Sequence, residues 1–219
     1  MIDPLERFDR KAMQFVEGDK VILCEGRDEC EVLKGLTRDW NHRPKIGTRD
    51  EAGGYEWDQE LRGLAQQVPI RKILAIGLVF DAEASRRDKV NQLEQWYEYA
   101  GLTKPATANR LRLSEVDGAK VLTAYLINPP GRPTGCLETL FLQQVRASDV
   151  GECVTALLEC YAEHCQCRQN LAKVELRSFI AYWNAYNTGL GLAIRDGYLN
   201  CRGPQFDGLR RFVRLLKSV

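Results

Sequence analysis

No stretch of this sequence stays apolar for the roughly 20 residues that a membrane-spanning helix requires. Its start, Met1-Ile2-Asp3-Pro4, lacks the basic-then-apolar pattern of a secretory signal. The expectation is a cytoplasmic protein that does not enter a membrane. Histidine is scarce, with two in 219 residues. Neither His42 nor His164 has a sequence context that suggests a nucleophile–base pair. Low-complexity tracts and internal repeats are missing too. No Gly-x-x-x-x-Gly-Lys-Ser/Thr occurs, so P-loop ATP hydrolysis would need another protein. An excess of one charge is also lacking, since 31 Lys/Arg and 30 Asp/Glu leave a net +1. That near-neutrality hides an asymmetry. Cys165 to Val219 holds nine Lys/Arg and three Asp/Glu, a net +6, and the rest is acidic at −5. A basic tail can attract a polyanion, and it is equally what a solvated helix face looks like.

Cysteine is not scarce, at eight residues. The chain is too long for a disulfide-stapled mini-domain, and reduced thiols are expected. Four cysteines crowd with a histidine: Cys153, Cys160, His164, Cys165 and Cys167. Their spacing matches no zinc knuckle. Cys153, Cys160 and His164 fall at helical intervals of seven and four, which reads as a buried helix stripe. No zinc is expected.

The informative stretch is Val21-Ile22-Leu23-Cys24-Glu25-Gly26-Arg27-Asp28-Glu29. A short apolar run ends in Glu-Gly, and helical spacing follows with Val32, Leu33 and Leu36. A buried strand thus delivers Glu25 to its tip, Gly26 allows a tight turn, and Asp28 can cap the next helix. A second run, Ile73 to Phe80, ends in Asp81-Ala82-Glu83. Ligands bind at the C-terminal ends of strands in open α/β sheets. Carboxylates on two parallel strand tips suit a hard divalent cation.

Elsewhere the patterns are ordinary. Residues 3–15 and Trp57 to Gln67 read as helices, with at most one short strand between Arg38 and Gly54. Ser85 opens a helix, with Asp88 at capping-box spacing. Arg110 to Leu113 and Val121 to Ile127 read as strands. The loop from Asn128 to Gly135 leads into a helix burying Leu137, Leu140, Phe141 and Val145. Helices follow at 148–164, 171–185, about 190–195 and 206–217; the last buries Leu209, Phe212, Val213 and Leu216 opposite Arg210, Arg214 and Lys217. This describes an α/β core over residues 1–147 and a helical C-terminal extension over 148–219 packed on it, as one continuous unit.

Glu25-Gly26-x-Asp28, a second strand ending in Asp81-x-Glu83, the later Gly135-x-Leu137-Glu138 and the terminal segment Phe206 to Phe212 together resemble the Toprim fold of topoisomerases, primases and OLD-type nucleases. Within it, the chain resembles the small stand-alone family DUF3226, related to the nuclease half of OLD proteins. The resemblance spans roughly residues 18 to 216 and departs at Glu83, where an aspartate is usual, and at Glu29. It implies a Toprim-like Rossmannoid sheet, mostly parallel and flanked by helices. It also implies Mg²⁺- or Mn²⁺-dependent hydrolysis of phosphodiesters in DNA or RNA, alongside a separate ATPase, and allows a homo-oligomer. In that scheme Glu25 is a metal ligand or general acid/base. Asp81 and Glu83 hold a first metal with Asp28 or Glu29, Glu138 serves a second, and Lys173 faces the scissile phosphate. The alternative is a catalytically weak module that holds a metal or nucleotide and docks to a partner.

Overall fold

The computed structural model describes residues 17–48, 72–116, 118–164, 171–183 and 189–219. The helices expected over 3–15 and Trp57 to Gln67 lie outside them. Five strands form one sheet: β1 (Asp19–Cys24), β2 (Lys45–Thr48), β3 (Ile73–Asp81), β4 (Arg112–Val116) and β5 (Ala119–Asn128). Their order is β2-β1-β3-β5-β4, parallel except for β4, which pairs antiparallel with β5. β1, β3 and β5 are apolar nearly throughout, as parallel strands covered on both faces must be. The short strand allowed between Arg38 and Gly54 is β2. The hairpin from β4 to β5 has Gly118 in the left-handed region at φ 81°. β4 begins two residues later than the sequence suggests.

Helix α1 (Arg27–Leu36) links β1 to β2, and α2 (Arg86–Tyr99) follows β3. Ser85 caps α2 by accepting a hydrogen bond from the Asp88 backbone N–H at 3.2 Å. After β5 come a 3-10 helix (Leu137–Leu140), α3 (Leu142–Arg146), α4 (Gly151–His164), α5 (Leu171–Trp183), α6 (Leu190–Arg195), a 3-10 turn (Pro204–Phe206) and α7 (Asp207–Lys217).

The two faces of the sheet are covered unequally. On one, Leu93, Trp96 and Tyr97 of α2 pack on Val21, Leu23, Ile76, Leu78, Phe80 and Ile127. On the other, α1 and the C-terminal helices share one core with Ile22, Cys24, Val79, Ala124 and Leu126. α7 turns Leu209, Phe212, Val213 and Leu216 inward, as its pattern predicts. It lies so close to β3 that a Cβ at Gly77 would stand 2.4 Å from Leu216 and 2.8 Å from Phe212.

α4 corrects one expectation. Cys153 and Cys160 are exposed, not buried. The stripe that meets the core is Val154, with Leu158 and Tyr161 half-buried at i+4 and i+7. That stripe is the more apolar of the two and wins the inward position. His164 is exposed and its Nδ1 lies 2.9 Å from the Cys160 carbonyl oxygen. Cys165 and Cys167 fall outside the described residues.

Candidate metal centre

The strand order reverses between β1 and β3: α1 carries the chain to one side and α2 to the other. The crevice beyond their C-terminal ends is therefore where this topology places a ligand. Glu25 follows the last residue of β1, and Asp81 is the last of β3. The two tips meet, with Glu25 Oε2 accepting from the Asp81 backbone N–H at 3.2 Å.

Alternation along the strands divides the site into two halves. Leu23 and Phe80 face α2, whereas Cys24 and Val79 face the C-terminal helices. Glu25 therefore belongs to the α2 half. Its Oε1 accepts from Lys89 Nζ at 2.6 Å, and Lys89 also lies 3.9 Å from Glu83 Oε2. Lys89 is buried, while the Glu83 side chain is 53% exposed. Glu83 takes φ 48°, a strained choice for a residue with a side chain. Paired backbone hydrogen bonds with Gly135, at 2.6 and 2.8 Å, hold it there. That bridge brings the loop after β5 against the tip of β3.

Asp81 belongs to the other half. Its Oδ1 accepts from the Leu137 backbone N–H at 2.9 Å, fixing the start of the 3-10 helix. Ligand atoms of Asp81, Cys136 and Glu138 then lie within 4.8 Å of one another, all three residues being buried. This is the cluster able to hold a metal ion among the described residues. Glu138 Oε2 is buried without a hydrogen-bond partner among them. So are both side-chain polar atoms of Asn128, the residue paired with Asp81 across the β3–β5 ladder.

The electrostatics are those of crowded acid out of water. Burial, with Glu29 and Glu138 nearby, raises Asp81 to about 9. Burial also raises Glu29, whose hydrogen bond with the Asp81 side chain works the other way. Burial and mutual repulsion thus favour a shared proton for the Asp81–Glu29 pair. Asp28 is raised by burial and Glu138, opposed by Arg177, Lys173 and a hydrogen bond from the Leu190 backbone. Burial and Glu138 push the Cys136 thiol up to about 12. Burial acts to lower Lys173, but Glu138, Asp81 and Cys136 outweigh it and hold its ammonium above the usual range.

Thus Asp81, Glu138, Glu29, Asp28 and Lys173 gather on one side of the β3 tip, and Glu25 and Glu83 stand on the other around Lys89. Asp28 does not cap α1. Gly26 holds the N-cap position with no side-chain hydrogen bond and an extended backbone, so it makes no left-handed turn. Its requirement is space: a Cβ there would stand 2.8 Å from Glu29 Oε2. Lys89, Cys136, Arg177 and Asn128 are participants that the strand-tip pattern does not single out. Cys136 is the unspecified position of Gly135-x-Leu137-Glu138.

A five-stranded, mostly parallel Rossmann-like sheet with a buried Asp–Cys–Glu cluster at its switch point defines an α/β protein with a candidate metal centre. The chain matches the family described as "Protein of unknown function (DUF3226)" over residues 19–218 and belongs to it. No curated protein and no solved structure matches. No helix among the described residues is long and apolar enough to cross a membrane.

Proposed function

We propose that this protein is a metal-dependent nuclease that hydrolyses phosphodiester bonds in DNA or RNA, with an ATPase on a separate chain. One observation carries the reading. Three buried ligand atoms converge at the switch point, and one carboxylate oxygen beside them, Glu138 Oε2, has no partner among the described residues. A buried acceptor left unpaired costs about 1–3 kcal/mol, and a divalent cation would satisfy it. The donors fit such an ion, and the carboxylates suit Mg²⁺ or Mn²⁺.

Asp81 and Glu138 would hold the cation, with Glu29 and Asp28 on the same side to balance its charge. When bound, the ion would supply Lewis acidity and an activated water. Lys173, whose ammonium is kept charged by these acids, would meet a substrate phosphate and offset the charge that builds on it. Glu25, gripped by Lys89 and the Asp81 N–H, would exchange a proton at the reacting oxygen. Glu83 lies at the exposed rim.

The test is incubation of purified protein with Mn²⁺ or Mg²⁺ and single- and double-stranded DNA and RNA. Metal-dependent cleavage that disappears in Asp81→Asn and Glu25→Gln is the expected result. Activity surviving both would point to another site. The second reading is a binding module, favoured by the Lys89–Glu25 ion pair, which neutralises half of the site with no cation at all. Protein that binds a divalent ion but cuts nothing, even with an ATPase partner, would favour that reading.

A further inference from the structure

We infer that Cys136 is itself a metal ligand, so that the cluster takes a divalent cation that accepts sulfur, zinc ahead of magnesium. This rests on the metal-dependent reading above and narrows it. Cys136 is fully buried, and its Sγ shares the 4.8 Å cluster with oxygens of Asp81 and Glu138. The backbone locks it there. Gly135 is bridged to Glu83 on one side, the Leu137 N–H is held by Asp81 on the other, and Thr139 Oγ1 lies 3.7 Å from the sulfur. Two further observations point to a ligand here. Glu138 Oε2 and the Asn128 amide are buried beside the cluster with no partner among the described residues.

Donor chemistry then decides the cation. Magnesium demands six near-ideal oxygen ligands and keeps most of its waters. Two carboxylates and one sulfur are instead the three protein donors of a catalytic zinc-type site, which leaves its fourth position to water. Sulfur donors favour softer ions over Mg²⁺. On binding, the thiol would release its proton to solvent and coordinate as thiolate. The other described cysteines lie elsewhere. Cys24 and Cys30 are buried and hydrogen-bonded to each other, Cys153 and Cys160 are exposed on α4, and Cys201 is half-buried between α6 and α7.

Cobalt(II) is the probe, because its bond to sulfur absorbs in the near ultraviolet whereas its bonds to oxygen do not. Wild-type protein titrated with Co²⁺ should show that band. Cys136→Ser should lose it, and Cys160→Ser should keep it. Competition with Zn²⁺ should show a loss of affinity of about 10- to 100-fold in Cys136→Ser, the range seen even for supporting groups of a metal site. Mg²⁺ affinity should move by less than about twofold. Cobalt bound without a sulfur band in the wild type, a measurement that needs no variant, would overturn the assignment while leaving the nuclease reading intact. A band that survives in Cys136→Ser would do the same. Protein that binds none of the three ions would overturn both.

Discussion

The two halves of the β3 tip handle buried acid in opposite ways. On the α2 side, Glu25 is matched by Lys89 at 2.6 Å and by a backbone N–H, with Glu83 reaching solvent. On the other side, Asp81, Glu29 and Glu138 crowd together with Lys173 only half-buried at their edge. The first half resembles a finished ion pair, stable as it stands. The second is frustrated, and burial with mutual repulsion favours the protonated form of its acids. A protein optimised for stability alone would not leave three acids and an unpaired oxygen in its interior. The difference separates a half already matched by Lys89 from a half that could hold a cation.

The sharpest way to break this contrast is to remove charge from the frustrated half. Glu138→Gln or Asp81→Asn should abolish tight cation binding and lower cleavage by about 100-fold or more. Calorimetry and a cleavage assay check both. The metal-free variants should be as stable as the wild type or more so, because Asn at 81 needs no proton to be neutral and Gln at 138 removes a repelling charge. The same logic fixes a pH dependence. Asp81 binds its proton more tightly folded, at about 9, than unfolded, near 3.8. Between those values the native state holds more protons, so metal-free stability should fall as pH rises from about 4 to about 9. Denaturant melts across that window should show the slope. Asp81→Asn should flatten it, and saturating cation should offset it.

Doing the reverse on the Lys89 half should cost stability first. Lys89→Met would leave Glu25 partly buried and uncompensated. Breaking a well-buried pair costs about 3–5 kcal/mol, and solvent access at Glu25 should reduce that to about 2 kcal/mol. Urea unfolding measures the loss. A change below about 0.5 kcal/mol would show that the ion pair is not what separates the halves.

Much of this arrangement is legible in the chain. The runs Val21 to Cys24 and Ile73 to Phe80 announce parallel strands, and acids at their ends announce the site. Gly135-x-Leu137-Glu138 marks a third contribution from a distant loop. What stays hidden depends on tertiary contact. Lys89 sits on α2 among ordinary polar residues, and only the packing of that helix on Phe80 and Leu23 turns it towards Glu25. Alternation in a strand places Glu25 and Asp81 on opposite faces, yet the spacing of the acids alone suggests a single convergent set. Gly26 reads as a turn residue because glycine so often is one. Its actual reason, room for the Glu29 carboxylate, needs a side chain folding back from the next helical turn. On α4, two apolar stripes compete, and the cysteine stripe loses to Val154, Leu158 and Tyr161.

Lys173→Ala tests the edge of the frustrated half. Lys173 faces Glu138 and Asp81 electrostatically but is assigned to a substrate phosphate. Its loss should lower cleavage by about tenfold or more, with a smaller change in cation affinity. A cation affinity that instead rises steeply, with cleavage unchanged, would recast Lys173 as a stand-in for the metal.

The smallest effect is expected at Gly26, and it separates space from charge. An alanine Cβ would meet only the far end of the Glu29 side chain, 2.8 Å away, and the backbone there is extended at φ −132°. Alanine is therefore compatible with the local chain, and stability should change by less than about 1 kcal/mol. The carboxylate must nevertheless swing out, which removes its hydrogen bond to Asp81. With Glu29 displaced, Asp81 loses its nearest like charge and should ionise at lower pH. Gly26→Ala should thus shallow the metal-free stability slope between pH 4 and 9 while keeping Asp81 and Glu138 available to a cation. If the slope is unchanged and cation binding is lost, Glu29 is a ligand in its own right and not only a neighbour that raises Asp81. Comparing Gly26→Ala with Glu29→Gln settles which, because only the second removes the carboxylate instead of moving it.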